Sequence, residues 1–390
     1  MISLSRLIRK PVAALKLVVL AGLLAACQPM GGGLMGGGPN VGRGAVEVAM
    51  LLPVSSGQGG DAVIARNLEN AARLAAADLE GTAVNITVYD TAGQAAQAAT
   101  VARQAVSEGA DVIIGPLRSD AAAAVGVAVA NSNIAVLSFS NNTEIAGGNV
   151  FVLGHTFQNT ADRVIGFAAA RGQTNIVITH ADTLAGQVAR DAIRRAAANS
   201  GATIAGTVPY EFSQTGVINV VPQVVEIVRE SGATGLMLTS DSAGALPFFA
   251  QLLPENGLDP SEIQMMGLTR WDTPPQTLQF AGLQGGWFAV PDPSAVADFN
   301  ARYTAAYGAG PHILAALGYD AIRAVGETAA ASGRLGGTDF VASAGFNGAN
   351  GVFRLLNDGT NQRAMAIAQV IDNQVAVIDP APRRLGGAGL

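Results

Sequence analysis

The sequence predicts an α/β protein with parallel-rich sheets, divided into two lobes. From about residue 46 onward, short apolar runs alternate with longer Ala-rich segments that have helical periodicity. This alternation is typical of βαβ units in a mainly parallel sheet. The chain beyond residue 26 is also too long for one ordinary hydrophobic core, because single cores stop growing at about 250–300 residues. Two lobes of usual domain size are therefore expected.

The predicted elements follow one another in a regular order. Strand-like apolar runs cover 46–52, 84–90, 112–115, 134–138, 175–179, 203–210, 235–238 and 264–267. Helical segments cover 62–79, 95–108, 119–130, 160–171, 185–200, 217–230 and 243–253, followed by 294–307, 313–332 and 338–342. In the first of these, Ile64, Leu68 and Ala72 recur at helical steps, so one face can pack on a sheet. Strands return at 352–355, 364–371 and 374–378, which predicts that the chain re-enters the lobes built earlier.

The N-terminal segment has the composition of a secretory signal. Residues 1–26 contain Arg6, Arg9, Lys10 and Lys16 and no acidic residue, and an apolar run ends in small residues before position 27. This run is about half as long as the roughly 20 residues that a membrane-spanning helix needs. A cleaved signal peptide is therefore predicted, rather than a transmembrane anchor.

The residues LAA before Cys27 resemble a bacterial lipoprotein signal, so we expect a lipid on this cysteine. Cys27 is the only cysteine, so no intramolecular disulfide can form, and lipidation would remove a free thiol in an oxidising compartment. An ordinary signal followed by a chance cysteine is the alternative. Residues 27–45 are Gly-rich and predict a flexible tether. The folded part would then face the periplasm from a lipid anchor, and Gln28, where an Asp would favour inner-membrane retention, favours the outer membrane.

The charge balance excludes several kinds of partner. All basic residues beyond the signal are Arg, and they are outnumbered by 29 acidic residues. An acidic chain without basic clusters is a poor match for nucleic acid and for a polybasic membrane patch. The predicted lipid is therefore the only expected attachment to a membrane, and no nucleic acid partner is expected.

Motifs that carry catalysis are missing from the sequence. It contains no nucleophile elbow, no paired-histidine zinc motif and no phosphate-binding loop of the Walker type. His155, His180 and His312 are the only histidines and are widely scattered. We therefore expect no catalytic residue, no metal and no cofactor. A cleft enzyme that uses Asp182 and Asp241 stays open as the weakest alternative, since carboxylates at strand ends are common helix caps.

Polar side chains follow the predicted strands at the positions where open α/β sheets bind ligands. These candidates are Arg118, Ser119, Ser140, Asn141, Asn142, Asp182, Asp241, Arg270 and Trp271. The Gly-rich stretch 55–60 after the first strand is either a ligand loop or a structural turn. A ring of hydroxyls, amides and Arg side chains suits a small polar or zwitterionic molecule. Helix capping is the alternative for single members such as Ser119 and Asp182.

Three segments resemble the type I periplasmic binding proteins of the leucine/isoleucine/valine-binding group. They are residues 48–57 (VAMLLPVSSG), 112–117 (VIIGPL) and 318–321 (GYDA). The resemblance implies two Rossmann-like lobes joined by three crossovers, near Gly154, Pro291 and Gly336, and closing on a cleft. One lobe would comprise 46–154 and 288–337, the other 155–287 and 338–379, with 380–390 as a tail.

The same resemblance implies a ligand site. In amino-acid receptors of this group, the loops after the first, third and fourth strands hold the α-carboxylate and the ammonium group. By position these residues are Ser55, Ser56, Arg118, Ser119, Asn141 and Asn142. The sequence departs from the receptors at 180–186 (HADTLAG), where an aromatic residue is usual. Its absence removes an apolar lid and weakens the case for amino-acid capture.

A closer likeness is to the penicillin-binding protein activators, lipoproteins that share this fold. It rests on residues 51–57 (LLPVSSG), 137–141 (LSFSN), 285–293 (GGWFAVPDP) and 351–354 (GVFR). The first hypothesis is therefore a non-enzymatic lipoprotein that binds a class-A penicillin-binding protein and regulates peptidoglycan synthesis. The second is the substrate-binding protein of an ABC transporter, whose partner is a permease and whose ligand is an amino acid or a related small polar solute.

Overall fold

A computed structural model of the chain describes residue 39 and the ranges 44–341 and 345–385. The predicted signal peptide, Cys27 and most of the predicted tether lie outside these residues. Within the described ranges, no helix is both long enough and apolar enough to span a bilayer.

The described helices and strands alternate along most of the chain, as the sequence predicts. The strands are β1 Val46–Leu52, β2 Val84–Asp90, β3 Val112–Ile114, β4 Val136–Ser138, β5 Val150–Val152, β6 Asn175–Ala181, β7 Thr203–Tyr210, β8 Gly235–Leu238, β9 Gln264–Gly267, β10 Trp287–Pro291, β11 Phe346–Gly348, β12 Gly351–Leu355, β13 Asn361–Arg363, β14 Met365–Ile371 and β15 Gln374–Asp379. The helices are α1 Asp61–Ala77, α2 Ala95–Ser107, α3 Ser119–Ala128, α4 Phe157–Ala170, α5 Leu184–Ser200, α6 Gln214–Ser231, α7 Leu246–Glu255, α8 Pro293–Tyr307 and α9 Ala315–Ser332.

Two large sheets organise the chain. The first has the strand order β2-β1-β3-β4-β5, and all of its pairings are parallel. The second has the order β15-β14-β10-β9-β8-β6-β7; it is parallel from β10 to β7, and β14 and β15 add antiparallel pairings at one edge. The α/β fold class with parallel-rich sheets is confirmed.

Each large sheet is buried on both faces, as expected when helices cover a parallel sheet. In β1, Val48, Met50 and Leu52 belong to one core cluster, while Ala49 and Leu51 belong to the cluster on the other face. The second sheet divides its side chains between two faces in the same way. Successive residues of a strand point to opposite faces. A strand that is buried on both faces therefore has apolar residues at every position, which is why it is seen in the sequence as a continuous apolar run.

Small residues let helices α1 and α9 pack closely against each other. A Cβ at Gly318 of α9 would lie 2.3 Å from the carbonyl oxygen of Leu68 in α1. Such a separation is far shorter than any van der Waals contact, so only Gly fits at this point of the helix–helix interface. The packing joins 293–332 to the first sheet, although these residues come late in the sequence.

The chain passes between the two sheets three times, at places that differ in part from the predicted boundaries. It leaves the first sheet after β5. It returns to the first lobe only after Pro291. Strand β10 is hydrogen bonded into the second sheet between β9 and β14. Residues 288–291, which were expected in the first lobe, therefore lie in the second.

The third passage is also later than predicted. Residues from Phe346 to Leu355, expected in the second lobe, belong largely to the first core, where the rings of Phe346 and Phe353 lie 5.3 Å apart. The chain joins the second sheet only at β14. The physical reason is apolar burial: the aromatic side chains of the small antiparallel sheet β11-β12-β13 fill space beside α9.

Candidate functional site

A cavity of about 810 Å³ lies at the carboxyl ends of strands from both sheets. The first lobe contributes the residues that follow β3 and β4, and the second contributes those that follow β9 together with part of β10. The lining residues include Gln58, Leu117, Arg118, Ser119, Asp120, Phe139, Ser140, Asn141, Asn142, His155, Thr156, Phe157, Thr160, Leu268, Thr269, Arg270, Ala289, Pro291, Ile313, Leu314, Leu317, Asn350 and Met365. This position is where open α/β sheets bind ligands.

Six of the predicted ligand residues meet in this cavity. Its lining includes Arg118, Ser119, Ser140, Asn141, Asn142 and Arg270. The loop after β1 contributes Gln58 to the cavity, while Ser55 and Ser56 are not among the lining residues. Both serines make hydrogen bonds that hold the loop: the backbone N–H of Ser55 donates to Asp90 Oδ1 at 3.1 Å, and Ser56 Oγ donates to Asp61 Oδ2 at 2.7 Å. Their contact with a ligand stays a prediction.

Arg118 is held by a carboxylate of its own lobe. Its Nη2 lies 2.8 Å from both carboxylate oxygens of Asp61, and Ser56 Oγ donates to Asp61 Oδ2 at 2.7 Å. Asp61 begins helix α1 and is only 3% exposed. Burial alone would raise the pKa of Asp61, but the hydrogen bonds from Arg118 and Ser56 lower it below its usual value. The carboxylate is therefore ionised at neutral pH.

The loop after β4 is fixed by its own hydroxyl and amide groups. Ser138 Oγ donates to the carbonyl of Pro116 at 3.1 Å, and Ser140 Oγ accepts from the N–H of Asn142 at 3.0 Å. Asn142 Oδ1 in turn accepts from the N–H of Glu144 at 3.0 Å. The side chain of Asn141 is exposed. The side chain of Asn141 is thus free to contact a solute, while the hydrogen bonds of its neighbours fix the conformation of the loop.

In the second lobe, Arg270 is also paired with a carboxylate, but through two of its nitrogens rather than one. Its Nε donates to Asp272 Oδ1 at 2.9 Å and its Nη2 to Asp272 Oδ2 at 2.5 Å. This is the two-point geometry that Arg and carboxylates favour. Both arginines of the cavity therefore have an intramolecular carboxylate partner.

His155 stands at the first crossover, between the two lobes. Its Nε2 lies 3.3 Å from Nδ2 of Asn350, so in a neutral ring Nε2 accepts this hydrogen bond. Burial lowers the pKa of His155 well below its usual value, and the positive charges of Arg363 and Arg270 lower it further. The imidazole is therefore uncharged at neutral pH.

The structure places three of the predicted ligand residues outside the lining of this cavity. Trp271 is fully buried, packs 5.6 Å from the ring of Phe288 and belongs to the core of the second lobe. Asp182 and Asp241 follow β6 and β8, are exposed, and do not line the cavity. The side chain that caps α5 is Thr183, whose Oγ1 accepts from the N–H of Gly186, so Asp182 is not the cap either.

Several residues that line the cavity were not predicted from the sequence. Leu117 and Phe139 follow β3 and β4 directly and form part of an apolar wall, so their position after a strand could have indicated them. His155 follows β5 at the first crossover, Asn350 lies in the turn between β11 and β12, and Met365 begins β14. No local pattern marks these three, because only the folded chain brings these distant segments together.

The lining of the cavity consists of groups that can bind a solute. Its lining offers hydroxyls, amides and apolar side chains, and its one histidine has no Ser, Thr or Cys side chain as a hydrogen-bond partner. Within the described ranges, no three His, Cys, Asp or Glu side chains come together in a way that could hold a metal ion.

The fold is shared with solved structures of solute-binding proteins. One is a putative branched-chain amino acid ABC transporter protein from Rhodospirillum rubrum, at a TM-score of 0.73 and 20% identity, covering 86% of this chain and 100% of that one. Another is the periplasmic ligand-binding protein of a branched-chain amino acid ABC transporter from Burkholderia xenovorans, at a TM-score of 0.67 and 20% identity, covering 88% and 95%. At these identities the likeness establishes the fold alone.

The chain is also similar to one curated protein and matches the model of a protein family. An uncharacterised protein of Rickettsia prowazekii is 27% identical over 126 residues, which span 31% of this chain and 32% of the relative. The match therefore spans about a third of that protein's length. The model of the periplasmic binding protein family matches residues 45–374. Since this is most of the chain, the protein belongs to the periplasmic binding protein family.

Proposed function

We propose that this chain is the substrate-binding protein of an ABC transporter and that it captures a small solute between its two lobes. The observation that carries the proposal is the cavity of about 810 Å³, which is lined from both sheets at their carboxyl ends. Its size is within the range of small-molecule sites in proteins, roughly 300–1,000 Å³. The structural neighbours described above are proteins of ABC transporters, so they support this hypothesis over a regulator of a penicillin-binding protein.

The arrangement of the lobes suits capture by closure. A solute that contacts Asn141 of the first lobe and Thr269 of the second links the two lobes, which the three crossovers also join. It then binds the closed form more tightly than the open form, and this difference in affinity drives the equilibrium towards closure. A permease that recognises the closed form would receive the solute.

The family and the N-terminal sequence support a periplasmic location and a lipid anchor. The family is periplasmic by name, and the predicted lipid on Cys27 would hold the protein at the envelope. Metabolic labelling with a palmitate analogue is expected to mark the full chain and not the Cys27→Ser variant. Equal labelling of both would contradict the lipoprotein prediction.

A regulator of a class-A penicillin-binding protein is the second candidate function, and it rests on the sequence segments at 51–57, 137–141, 285–293 and 351–354. Affinity capture from detergent-solubilised envelope distinguishes it from the first. The bait is residues 27–390 with Cys27→Ser. Recovery of a permease supports the proposed function, and recovery of a penicillin-binding protein without a permease supports the regulator.

The direct test of solute capture is a thermal-shift screen of the same protein against several hundred small metabolites. A ligand at 100 times its dissociation constant adds about 2.7 kcal/mol of stability, which is readily detected. Asn141→Ala should weaken the binding of any hit. Asn199→Ala is the matched control, because Asn199 is exposed on α5 and does not line the cavity. A library without a single hit would count against the proposed function.

A further inference from the structure

The C-terminal hairpin leaves one edge of the second sheet open. Strand β15 ends the strand order, and among the described strands it pairs only with β14. Outside this ladder, residues 374–379 make no backbone–backbone hydrogen bond to any other described residue. The N–H and C=O groups on the outer side of β15 can therefore pair with a further strand.

The other edges of the two large sheets differ from β15. Strand β5 has only three residues. The exposed residues of β2 are Asn85 and Thr87, and those of β7 are Thr203 and Pro209. Short strands, polar side chains and proline all hinder the pairing of a sheet edge with another chain. These three edges are thus protected.

The exposed side chains of β15 are mainly apolar. Val375 and Val377 are 38% and 45% exposed, and because they are two residues apart they lie on the same face of the strand. Ile371, the last residue of β14, is 44% exposed. Residues 374–378 (QVAVI) include no charged residue and no proline. Strand β15 therefore has none of the features that protect an edge.

Both ends of β15 are held by side chains of the same lobe. Before the strand, Gln284 Nε2 donates to Asn373 Oδ1 at 3.1 Å, and the N–H of Asn373 donates to Gln284 Oε1 at 3.3 Å. After it, Arg163 Nη2 donates to Asp379 Oδ2 at 2.5 Å. The edge is thus already ordered, so pairing with another strand costs little conformational entropy.

A second copy of this chain fits the edge because β15 is complementary to itself. In an antiparallel pair with a two-fold axis at Ala376, Val375 of each copy lies opposite Val377 of the other. Directly opposite side chains of an antiparallel pair touch, so the four valines form one continuous apolar strip. A two-fold contact of this kind closes on itself and adds no further copies.

The charges at the two ends of β15 fit the same arrangement. Asp372 lies in the turn before the strand, and Arg383 and Arg384 follow it in the tail; all three residues are exposed. None of them takes part in the salt bridges of the described residues. Antiparallel pairing brings the tail of one copy towards the turn of the other, so opposite charges approach each other twice in the dimer.

We propose that two copies of this protein form a two-fold dimer by antiparallel pairing of their β15 strands, which joins the two second sheets into one continuous sheet. No residue of β15 lines the cavity, so the proposal does not depend on which solute the cavity binds, or on whether it binds one. A single strand pair is a small contact, and we expect the dimer to dissociate on dilution.

Sedimentation equilibrium of residues 27–390 with Cys27→Ser tests the dimer without interference from a disulfide at Cys27. The mean mass should rise from that of the monomer towards twice that value between about 1 and 200 µM. Val377→Lys adds a positive charge to each copy at the centre of the pair and should raise the dissociation constant at least about tenfold. Val127→Lys, at a side chain of α3 that is 81% exposed, is the control and should change it less than about threefold.

Two results would overturn the proposal. One is a protein that stays monomeric over the whole concentration range, as expected if another segment of the chain covers β15. The other is a dimer that Val377→Lys leaves unchanged, because the contact would then lie elsewhere. The wild-type measurement does not depend on how the variants fold.

Cross-linking tests the direction and register of the strands. In the Cys27→Ser background, Ala376→Cys places the two sulfur-bearing residues directly opposite each other, with Cβ atoms about 4.5–5.5 Å apart. A short bis-maleimide should therefore link them far more efficiently than it links Val127→Cys, where only random collisions bring two thiols together. Equal linking of the two variants would contradict antiparallel pairing at Ala376.

Charge reversal tests the ends of the strand. Arg383→Glu combined with Arg384→Glu places like charges near Asp372 of the second copy and should raise the dissociation constant by about three- to tenfold at low salt. Adding Asp372→Asn should recover part of this loss; Asn is chosen because residue 372 has a φ of 51°, which Asn adopts readily. An unchanged dissociation constant after charge reversal would contradict the placement of the tail beside the turn.

Discussion

Asp320 and Arg363 form a completely buried ion pair that joins helix α9 to the third crossover between the lobes. Asp320 Oδ2 lies 2.8 Å from Arg363 Nη1, and the two side chains are 0% and 2% exposed. Asp320 Oδ1 also accepts from the N–H of Ala349, and Arg363 Nη2 donates to the carbonyl of Leu153 at 2.5 Å. The pair therefore connects helix α9, the small sheet β11-β12-β13 and the segment after β5.

Removal of one partner from this pair should be strongly destabilising. Arg363→Met leaves the Asp320 carboxylate buried without its cation, which costs about 3–5 kcal/mol of unfolding free energy. The double variant with Asp320→Leu should be less destabilised than Arg363→Met alone, because no unpaired charge then remains. Urea unfolding measures both. Arg73→Met, which breaks the exposed pair with Glu69, is the control and should cost at most about 1 kcal/mol.

The contact between Gly318 and Leu68 gives a second prediction. Gly318→Ala places a methyl group 2.3 Å from a backbone oxygen, so helices α1 and α9 must separate, at a cost of about 1–3 kcal/mol. Gly166→Ala in helix α4 is the matched control, because its Cβ would meet nothing within 4 Å. That variant should be stabilised by about 0.5–1 kcal/mol, as Ala is a better helix former than Gly. Equal effects of the two substitutions would contradict the close packing.

A third prediction concerns Trp271, which the sequence indicated as a ligand residue. Since it is buried against Phe288, Trp271→Ala should cost about 3–5 kcal/mol in thermal or urea unfolding. Phe212→Ala is the control at a side chain that is 65% exposed, and its effect should stay within about 0.5 kcal/mol. The milder Trp271→Phe should leave the affinity for a cleft ligand unchanged. If Trp271→Phe lowered the affinity for the ligand without lowering the free energy of unfolding, Trp271 would have to contact the ligand.

The fold was predictable to a large extent because its strands are buried on both faces. A strand such as β1 has almost no polar residue, and its apolar run is bounded by turn residues. Two strands that were not predicted have weak local signals. Strand β5 has only three residues, and β10 is a short strand between Gly286 and Pro293. The place of β11 and β12 in the first core depends on packing against α9, which no local pattern encodes.

The site was predictable only at the strand ends. Arg118, Asn141 and Arg270 were found because parallel strands present their following residues at one edge of a sheet. Trp271 was assigned to the site because it directly follows Arg270 after a strand, but this position does not fix the direction of its side chain. Arg270 lines the cavity, whereas Trp271 packs against Phe288 in the core. The Asp61–Arg118 pair joins residues 57 positions apart. The pair is therefore visible only in the folded chain.

His155 gives the last prediction, because its depressed pKa makes folding depend on pH in a defined direction. The folded protein holds this ring neutral, whereas the unfolded chain binds a proton below about pH 6.5. The unfolded state thus binds more protons between these two pKa values, and stability must fall as the pH drops through that window. From pH 7.5 to 5.5 this linkage costs about 1 kcal/mol.

Urea unfolding of the wild-type protein and of His155→Gln at both pH values isolates this contribution. Burial raises the pKa values of Asp162 and Glu327, which gives a dependence of opposite sign, but these groups are present in both proteins and cancel in the difference. The wild-type protein should therefore lose about 1 kcal/mol relative to the variant on acidification. Parallel pH profiles would contradict the lowered pKa of His155, because the folded protein would then take up a proton on this ring as readily as the unfolded chain.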